Sequence, residues 1–199
     1  RRPAPAEQWG TRQRRLSSGA PASLRSATLF ETPIGRCGIA WGPRGIVGIQ
    51  LPEPTGAERA RLLRRFPDAT EGVPPAPVAE AIVRMVAHLE GGSPDLDSIE
   101  LDMTGVQEFD RRVYEIARAI LRGATMTYGE VAARLGDPAA ARAVGQSLGR
   151  NPFPIIIPCH RVLAAAGRPG GFSAHGGVST KLRLLAIEGA PGNSEFDFQ

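Results

Sequence analysis

The stretch NPFPIIIPCHRV, residues 151–162, decides how this 199-residue chain is read. Three prolines frame a run of isoleucines, and the run ends by placing Cys159 beside His160 in a chain with only two cysteines and three histidines. Pro-Ile-Ile-Ile reads as a short buried strand, which Pro158 cannot continue because it lacks an N–H. Cys159 is thereby presented at the end of a rigid element, as suits a group that must be held still. A free thiol is only a few per cent ionised at neutral pH, so a nucleophile needs a base or a positive field. His160 is the nearest base, although adjacent side chains of an extended chain point apart, and a turn or bridging water would have to connect the two. Glu188, in TKLRLLAIEGA, is a carboxylate that could orient the imidazole, but spacing alone does not assign it, since a glutamate near a helix end is usually just solvated. On these residues alone, an inert buried thiol remains open.

Upstream, the pattern is helical. Thr104 with Gln107 resembles a capping box, and Phe109, Val113, Ile116, Ile120 and Leu121 give an apolar face running to residue 122. Thr127 with Glu130 repeats the signature and opens a short helix to Leu135, closed by Gly136. Asp137 and Pro138 then supply an N-cap and first-turn proline for AAARAVGQSLG. The pair reads as a helix-turn-helix. Its second helix carries Ala139, Ala140, Ala141, Ala143 and Gly145, with Arg142 alone among them. That slim face suits close packing on a neighbouring helix. It equally suits entry into a nucleic-acid groove, the minor groove being only about 6 Å wide.

The first half reads differently. ATLFETPIGRCGIAWGPRGIVGIQL gives three short strands separated by turns at residues 32–35 and 42–45. A charged helix is expected around residues 56–66. In PVAEAIVRMVAHLEGG, Val78, Ile82, Met85, Val86 and Leu89 recur at helical spacing, Pro77 suits the first turn and Gly91 ends it. His88 is expected on the surface or as a cap, Cys37 as a small buried hydrophobe, and SIELDM as a further strand.

Charge divides along the same lines. Residues 1–25 carry a net +5, residues 26–104 a net −4 and residues 105–199 a net +3, so the pI near 9.8 is largely a property of the N-terminal segment and says little of partners. The twin arginine at the start has no apolar core behind it, which points to a disordered tail rather than a secretory signal or a transit peptide. No apolar run is long enough to span a bilayer. The absence of a CxxC pair or disulfide framework leaves a reducing, cytoplasmic setting as the default. The expected organisation is a basic tail (1–25), a small strand-rich α/β domain (26–102), a mainly α-helical domain with the helix-turn-helix (103–190) and a short tail (191–199).

The motifs TYGEVAARLG, AARAVGQSLGRNP, PIIIPCHRV, GGFS and LLAIEG, in that order between Thr125 and Gly189, resemble the O6-alkylguanine-DNA alkyltransferases. The resemblance implies a ribonuclease-H-like layout for the first domain. It implies direct, single-turnover transfer of an alkyl group from O6-alkylguanine, and from O4-alkylthymine, in double-stranded DNA to Cys159 after base flipping. His160 would activate the thiol through water, Glu188 would orient His160, and Tyr128 would hydrogen-bond the flipped guanine. Arg142 would fill the gap in the base stack, with Ala141, Ala143 and Gly145 on the DNA-facing helix. Asn151 would join that helix to the active-site segment, while Val162, Phe172 and Ser173 would line the pocket. The family works without a cofactor and as a monomer, with cooperativity on DNA in some settings. Some members carry zinc in the first domain, but Cys37 and His88 are too sparse to supply such a site, so no metal is expected. The loop SAHGGVSTK is longer than in well-known members and places His175 where small residues are common, which leaves the accepted adduct size open. The alternative is an alkyltransferase-like protein that recognises the lesion without transfer, a class lacking the cysteine. A cysteine hydrolase built on Cys159, His160 and Glu188 would need an oxyanion-hole motif, and none is legible.

Overall fold

The computed structural model describes residues 25–190, so the two expected tails lie outside the described residues apart from Arg25. Strands β1 (Ser26–Phe30), β2 (Cys37–Gly42) and β3 (Gly45–Gln50) follow one another as antiparallel neighbours. A short strand that the sequence did not betray, β4 (Thr70–Glu71), adds to β1 in parallel, giving the order β3-β2-β1-β4. Alternation along β2 sorts the faces. Cys37, Ile39 and Trp41 join a core shared with α2 (Ala76–Leu89), whereas Ala40 joins Leu62 and Phe66 at α1 (Glu58–Arg65). Close packing of α1 depends on Gly48, since a Cβ there would stand 2.6 Å from the Phe66 ring.

The helical part consists of α3 (Glu108–Arg118), α4 (Tyr128–Arg134), α5 (Ala141–Gly149) and α6 (Val178–Glu188). A two-residue parallel ladder, β5 (Met126–Thr127) with β6 (Val162–Leu163), links the start of α4 to the segment after Cys159. Among the buried residues one core runs from Ile39 and Met85 through Val113 and Val144 to Ile157 and Cys159, so the two parts share a continuous interior. Arginines stitch their polar edges. Arg122 donates to the carbonyls of His88, Gly91 and Gly92 at the end of α2 and to Ile187 near the end of α6, satisfying groups that a helix C-terminus leaves open.

Several expectations need correction. Pro-Ile-Ile-Ile is a turn, not a strand: Ile155 has φ +76°, and the Ile157 amide donates back to the Phe153 carbonyl at 2.8 Å. Proline followed by a positive φ is the arrangement of a tight turn, and Ile155 is held in it by burial at 1% exposure despite a strain of about 1–3 kcal/mol. SIELDM makes a single parallel bridge, Ile46 with Leu101, rather than a strand. The Thr104–Gln107 capping box is absent: Thr104 lies in a turn held by Asp102, Gly105 at φ +80° follows, and Gln107 caps α3 without a side-chain bond. Helix α3 ends at Arg118, with Phe109 and Leu121 exposed. Its buried stripe is Asp110, Val113, Tyr114 and Ala117, the acidic member being tolerated because Arg150 pairs with it at 2.9 Å. His88 is neither on the surface nor a cap. It is buried and bonded to Glu188.

Candidate active site

Cys159 begins a single 3-10 turn, Cys159–Arg161, that solves the geometric problem of adjacent side chains. The turn sends His160 inward to 1% exposure while Cys159 stays at the edge of a cavity at 8%. Asn151 braces the turn from behind: its Oδ1 accepts from the Phe153 amide and its Nδ2 donates to the Ile157 carbonyl, each at 2.9 Å. The Ile49 amide of β3 donates to the Pro152 carbonyl at 2.8 Å, so the reactive segment is also docked on the sheet.

Behind His160 lies a fully bonded carboxylate. Glu188 Oε1 meets His160 Nε2 and His88 Nε2 at 2.9 Å each, and Arg161 grips both carboxylate oxygens at 2.8 Å. Burial alone would push the Glu188 carboxyl up, but the hydrogen bonds from His160, His88 and Arg161 outweigh it and hold the group well below the usual carboxylate range. A carboxylate at a helix C-terminus is otherwise disfavoured by the macrodipole, and these cationic and N–H donors offset that. The contacts also fix tautomers. An arginine only donates, so Arg122 Nη1, 3.2 Å from His88 Nδ1, makes that nitrogen an acceptor and leaves His88 Nε2–H to donate to Glu188. An ionised Glu188 likewise takes the proton-bearing Nε2 of His160, which puts the ring's lone pair on Nδ1. That atom is buried and has no hydrogen-bond partner among the described residues. Burial lowers the His160 pKa, so the ring is a neutral base at physiological pH.

Lys181, the chain's one lysine, is completely buried, donates to the Val162 carbonyl at 2.6 Å and has its Nζ 5.6 Å from the Tyr128 ring centroid. Burial brings its pKa down to about 8. Burial also pushes the Cys159 thiol up, while the Asn151 side chain and the Lys181 charge act against that rise.

In front of Cys159 opens a cavity of about 540 Å³. Its wall brings together Tyr128, Ala141, Arg142, Gly145, Phe172 and Ser173, residues singled out separately in the sequence. The Thr127–Glu130 capping box is present, with the Glu130 amide 3.2 Å from Thr127 Oγ1, and it sets Tyr128 as the first residue of α4. Gly170, at φ +69°, lies so close that a Cβ would be 3.0 Å from the Tyr128 ring. Arg142 is exposed on α5. Two predicted residues stand elsewhere: Val162 is wholly buried in β6 behind the cavity, and Ala143 is half-buried away from its wall. His175 is exposed in the loop before α6. Residues that sequence reasoning missed are His88, Arg122, Arg161 and Lys181. Of these, Lys181 left a signal as a lone lysine in an arginine-rich chain, and Arg161 stood within the motif PIIIPCHRV without being given a role. Among the described residues no three of His, Cys, Asp and Glu are grouped to hold a metal ion.

Known proteins resemble this chain in sequence and in fold. Residues 108–190 match the family model for the DNA-binding domain of 6-O-methylguanine DNA methyltransferase. The methylated-DNA–protein-cysteine methyltransferase of Methanothermobacter thermautotrophicus is 38% identical over 157 residues, covering 79% of this chain and 81% of that protein. The Mycobacterium bovis protein of the same name is 40% identical over 160 residues, covering 80% and 89%. The crystal structure of Mycobacterium tuberculosis O6-methylguanine methyltransferase superposes with a TM-score of 0.69 at 34% identity, covering 87% of this chain and 99% of that one. A second structure of the mycobacterial protein, in complex with DNA, gives 0.66 at 31% identity, covering 85% and 97%. With relatives of 38–40% identity matched over about four-fifths or more of their own length, the chain belongs to the methylated-DNA–protein-cysteine methyltransferases.

Proposed function

We propose that this chain repairs O6-alkylguanine, and O4-alkylthymine, in double-stranded DNA by moving the alkyl group onto Cys159. The observation that carries the reading is the position of Cys159, on the cavity wall shared with α5 and Tyr128 and in front of the His160–Glu188 pair. An alkyl group on guanine O6 can be reached only if the base leaves the stack, at a cost of a few kcal/mol. Arg142, alone on a slim helix face, enters the gap and offsets part of that cost. The Cys159 proton passes through water to His160 Nδ1, and the resulting imidazolium is stabilised by Glu188. The sulfur then attacks the alkyl carbon, forming an S–C bond as the O–C bond breaks. The electron pair of that bond goes to the guanine, which takes a proton, with Tyr128 as the nearby hydroxyl. A thioether is a poor leaving group, so each molecule acts once, as a monomer and without a cofactor. Recognition without transfer is not favoured, because the thiol is present and served by a base. Thiols that must stay reduced suit the cytoplasm, and among the described residues no helix is long and apolar enough to cross a membrane.

The test is intact mass after mixing with a duplex holding one O6-methylguanine, followed by peptide mapping. One methyl on Cys159 with an equal yield of guanine is expected. An unchanged mass with tight binding would mean recognition alone. For Arg142→Ala, loss on duplex with little loss on the free alkylated base is expected, and equal loss on both would refute the stack-filling role.

A further inference from the structure

A second cavity, of about 530 Å³, adjoins the one at Tyr128 and Arg142. The two share Leu148, Gly149, Cys159, Phe172 and Ser173, so they meet at the reactive sulfur. Gly149 leaves the crossing open, with no atom within 4 Å of where a Cβ would stand. The far wall is cationic: Arg61, Arg64 and Arg65 come from α1 and Arg150 from just past α5, while no carboxylate lines the cavity. Arg61 is compensated by Glu53 at 2.8 Å and Arg150 by Asp110 at 2.9 Å, both from outside the wall. Arg65 lies over the Phe66 ring at 5.3 Å, and Arg64 is exposed with no ion-pair partner among the described residues. Like charges gathered round one cavity cost stability unless an anion shares the space.

We propose that this groove holds the phosphodiester backbone running on from the extruded nucleotide, so that α1 of the first domain is a second DNA contact. The proposal rests on the repair reading above. A base held against Cys159 stays tied to a phosphate on either side. Helix α5 serves one flank through Arg142, and on the other flank the open crossing at Gly149 leads directly to the arginines. Each strand of a duplex carries one charge per 3.4 Å, so Arg64 and Arg65 match the adjoining phosphates in sign and supply.

The test compares Arg64→Gln with Arg59→Gln, which removes the same charge from the same helix but outside the groove, where Arg59 pairs with Glu71. Binding to a duplex with one O6-methylguanine is titrated from low to moderate salt in a Cys159→Ser background, and folding is checked by circular dichroism. Arg64→Gln should weaken binding about three- to tenfold and make the log K against log salt slope shallower by about 0.9. Arg59→Gln should leave both within about twofold and Arg64→Lys should restore most of the slope, as one retained phosphate contact requires. An unchanged slope for Arg64→Gln, or equal losses for both glutamine variants, would overturn the groove. Should the parent protein take no methyl while the Arg64 effect persists, the chemistry is misread and the groove stands.

Discussion

The two cysteines of this chain are both buried, and burial pushes both thiols up, yet only one stands where chemistry can follow. Cys37 lies in the middle of the sheet core at 0% exposure, 3.8 Å from the Thr32 hydroxyl, and its pKa is pushed up to about 12 by burial, with Glu58 and Glu31 adding to the rise. At pH 7 its thiolate fraction is about one in 10⁵. Cys159 meets the same burial but is opposed by Asn151 and Lys181, opens on two cavities and has a neutral imidazole next in sequence. Depth therefore does not separate an inert thiol from a reactive one. The sign of the surrounding charges, a proton acceptor and access do.

The sharpest way to break this comparison is to exchange the roles. Cys159→Ser should abolish methyl uptake, by at least about 10⁴-fold, while duplex binding persists, since a serine hydroxyl is far less ionised than a thiol. Cys37→Ser should still take up one methyl per molecule by intact mass. Methyl uptake by the Cys159→Ser protein, mapped to Cys37, would sink the argument. Next in size is the base. Glu188→Gln keeps shape but removes the charge that stabilises the imidazolium and fixes its tautomer, so single-turnover transfer should fall about 10²–10³-fold with DNA affinity little changed. Because Arg161 would be left without its carboxylate, a stability loss of about 3–5 kcal/mol is expected from the urea midpoint. A stability loss without a rate loss would make Glu188 purely structural.

Much of the difference between the thiols was legible in the sequence, for reasons that particular residues make plain. Cys37 alternates with Ile39 and Trp41, and period two puts it on their face of a strand that is buried on both sides. The Thr127–Glu130 box and Gly136 are local signals, and they place Tyr128 and the helix-turn-helix without help from distant residues. Asn151 was reached only through the family motif, and Glu188, already a candidate from its residues, was assigned its role only there, because their bonds span the turn or join remote elements. Pro-Ile-Ile-Ile misled because hydrophobicity reports burial, not φ, and a buried isoleucine at +76° leaves no compositional trace. His88 misled because helical spacing places a residue relative to its own helix, whereas its partner, Glu188, arrives from 100 residues away.

The field around Cys159 offers a subtler handle. The Lys181 pKa is down to about 8 from an ordinary value near 10.4, so its ammonium supports the thiolate below pH 8 and fades above it. Lys181→Met should slow alkylation of Cys159 by iodoacetamide about tenfold at pH 7, since a fixed neighbouring cation of this kind shifts a thiol by about one unit. The wild-type rate should flatten above pH 8, while the variant should keep rising. A parallel loss at every pH would indicate altered packing instead. The linkage has a definite sign: between pH 8 and about 10.4 the unfolded chain binds more protons at Lys181 than the native protein does, so native stability gains with pH across that window and the variant loses the gain.

The smallest effect concerns Cys37 itself. Cys37→Ala removes one sulfur from a packed interior and leaves a small void, so a loss of about 1 kcal/mol in the urea midpoint is expected, with no loss of any paired charge. Single-turnover transfer should stay within about twofold, because nothing in the chemistry at Cys159 draws on the Cys37 sulfur. The measurement is worth making because Cys37 and Cys159 belong to one continuous core. A slower transfer at unchanged stability would mean that packing of the sheet reaches the 3-10 turn, through β3 and its bond to Pro152, and tunes the reactive thiol. An unchanged rate would confine the sheet to holding the turn in place and leave reactivity to the charges around it.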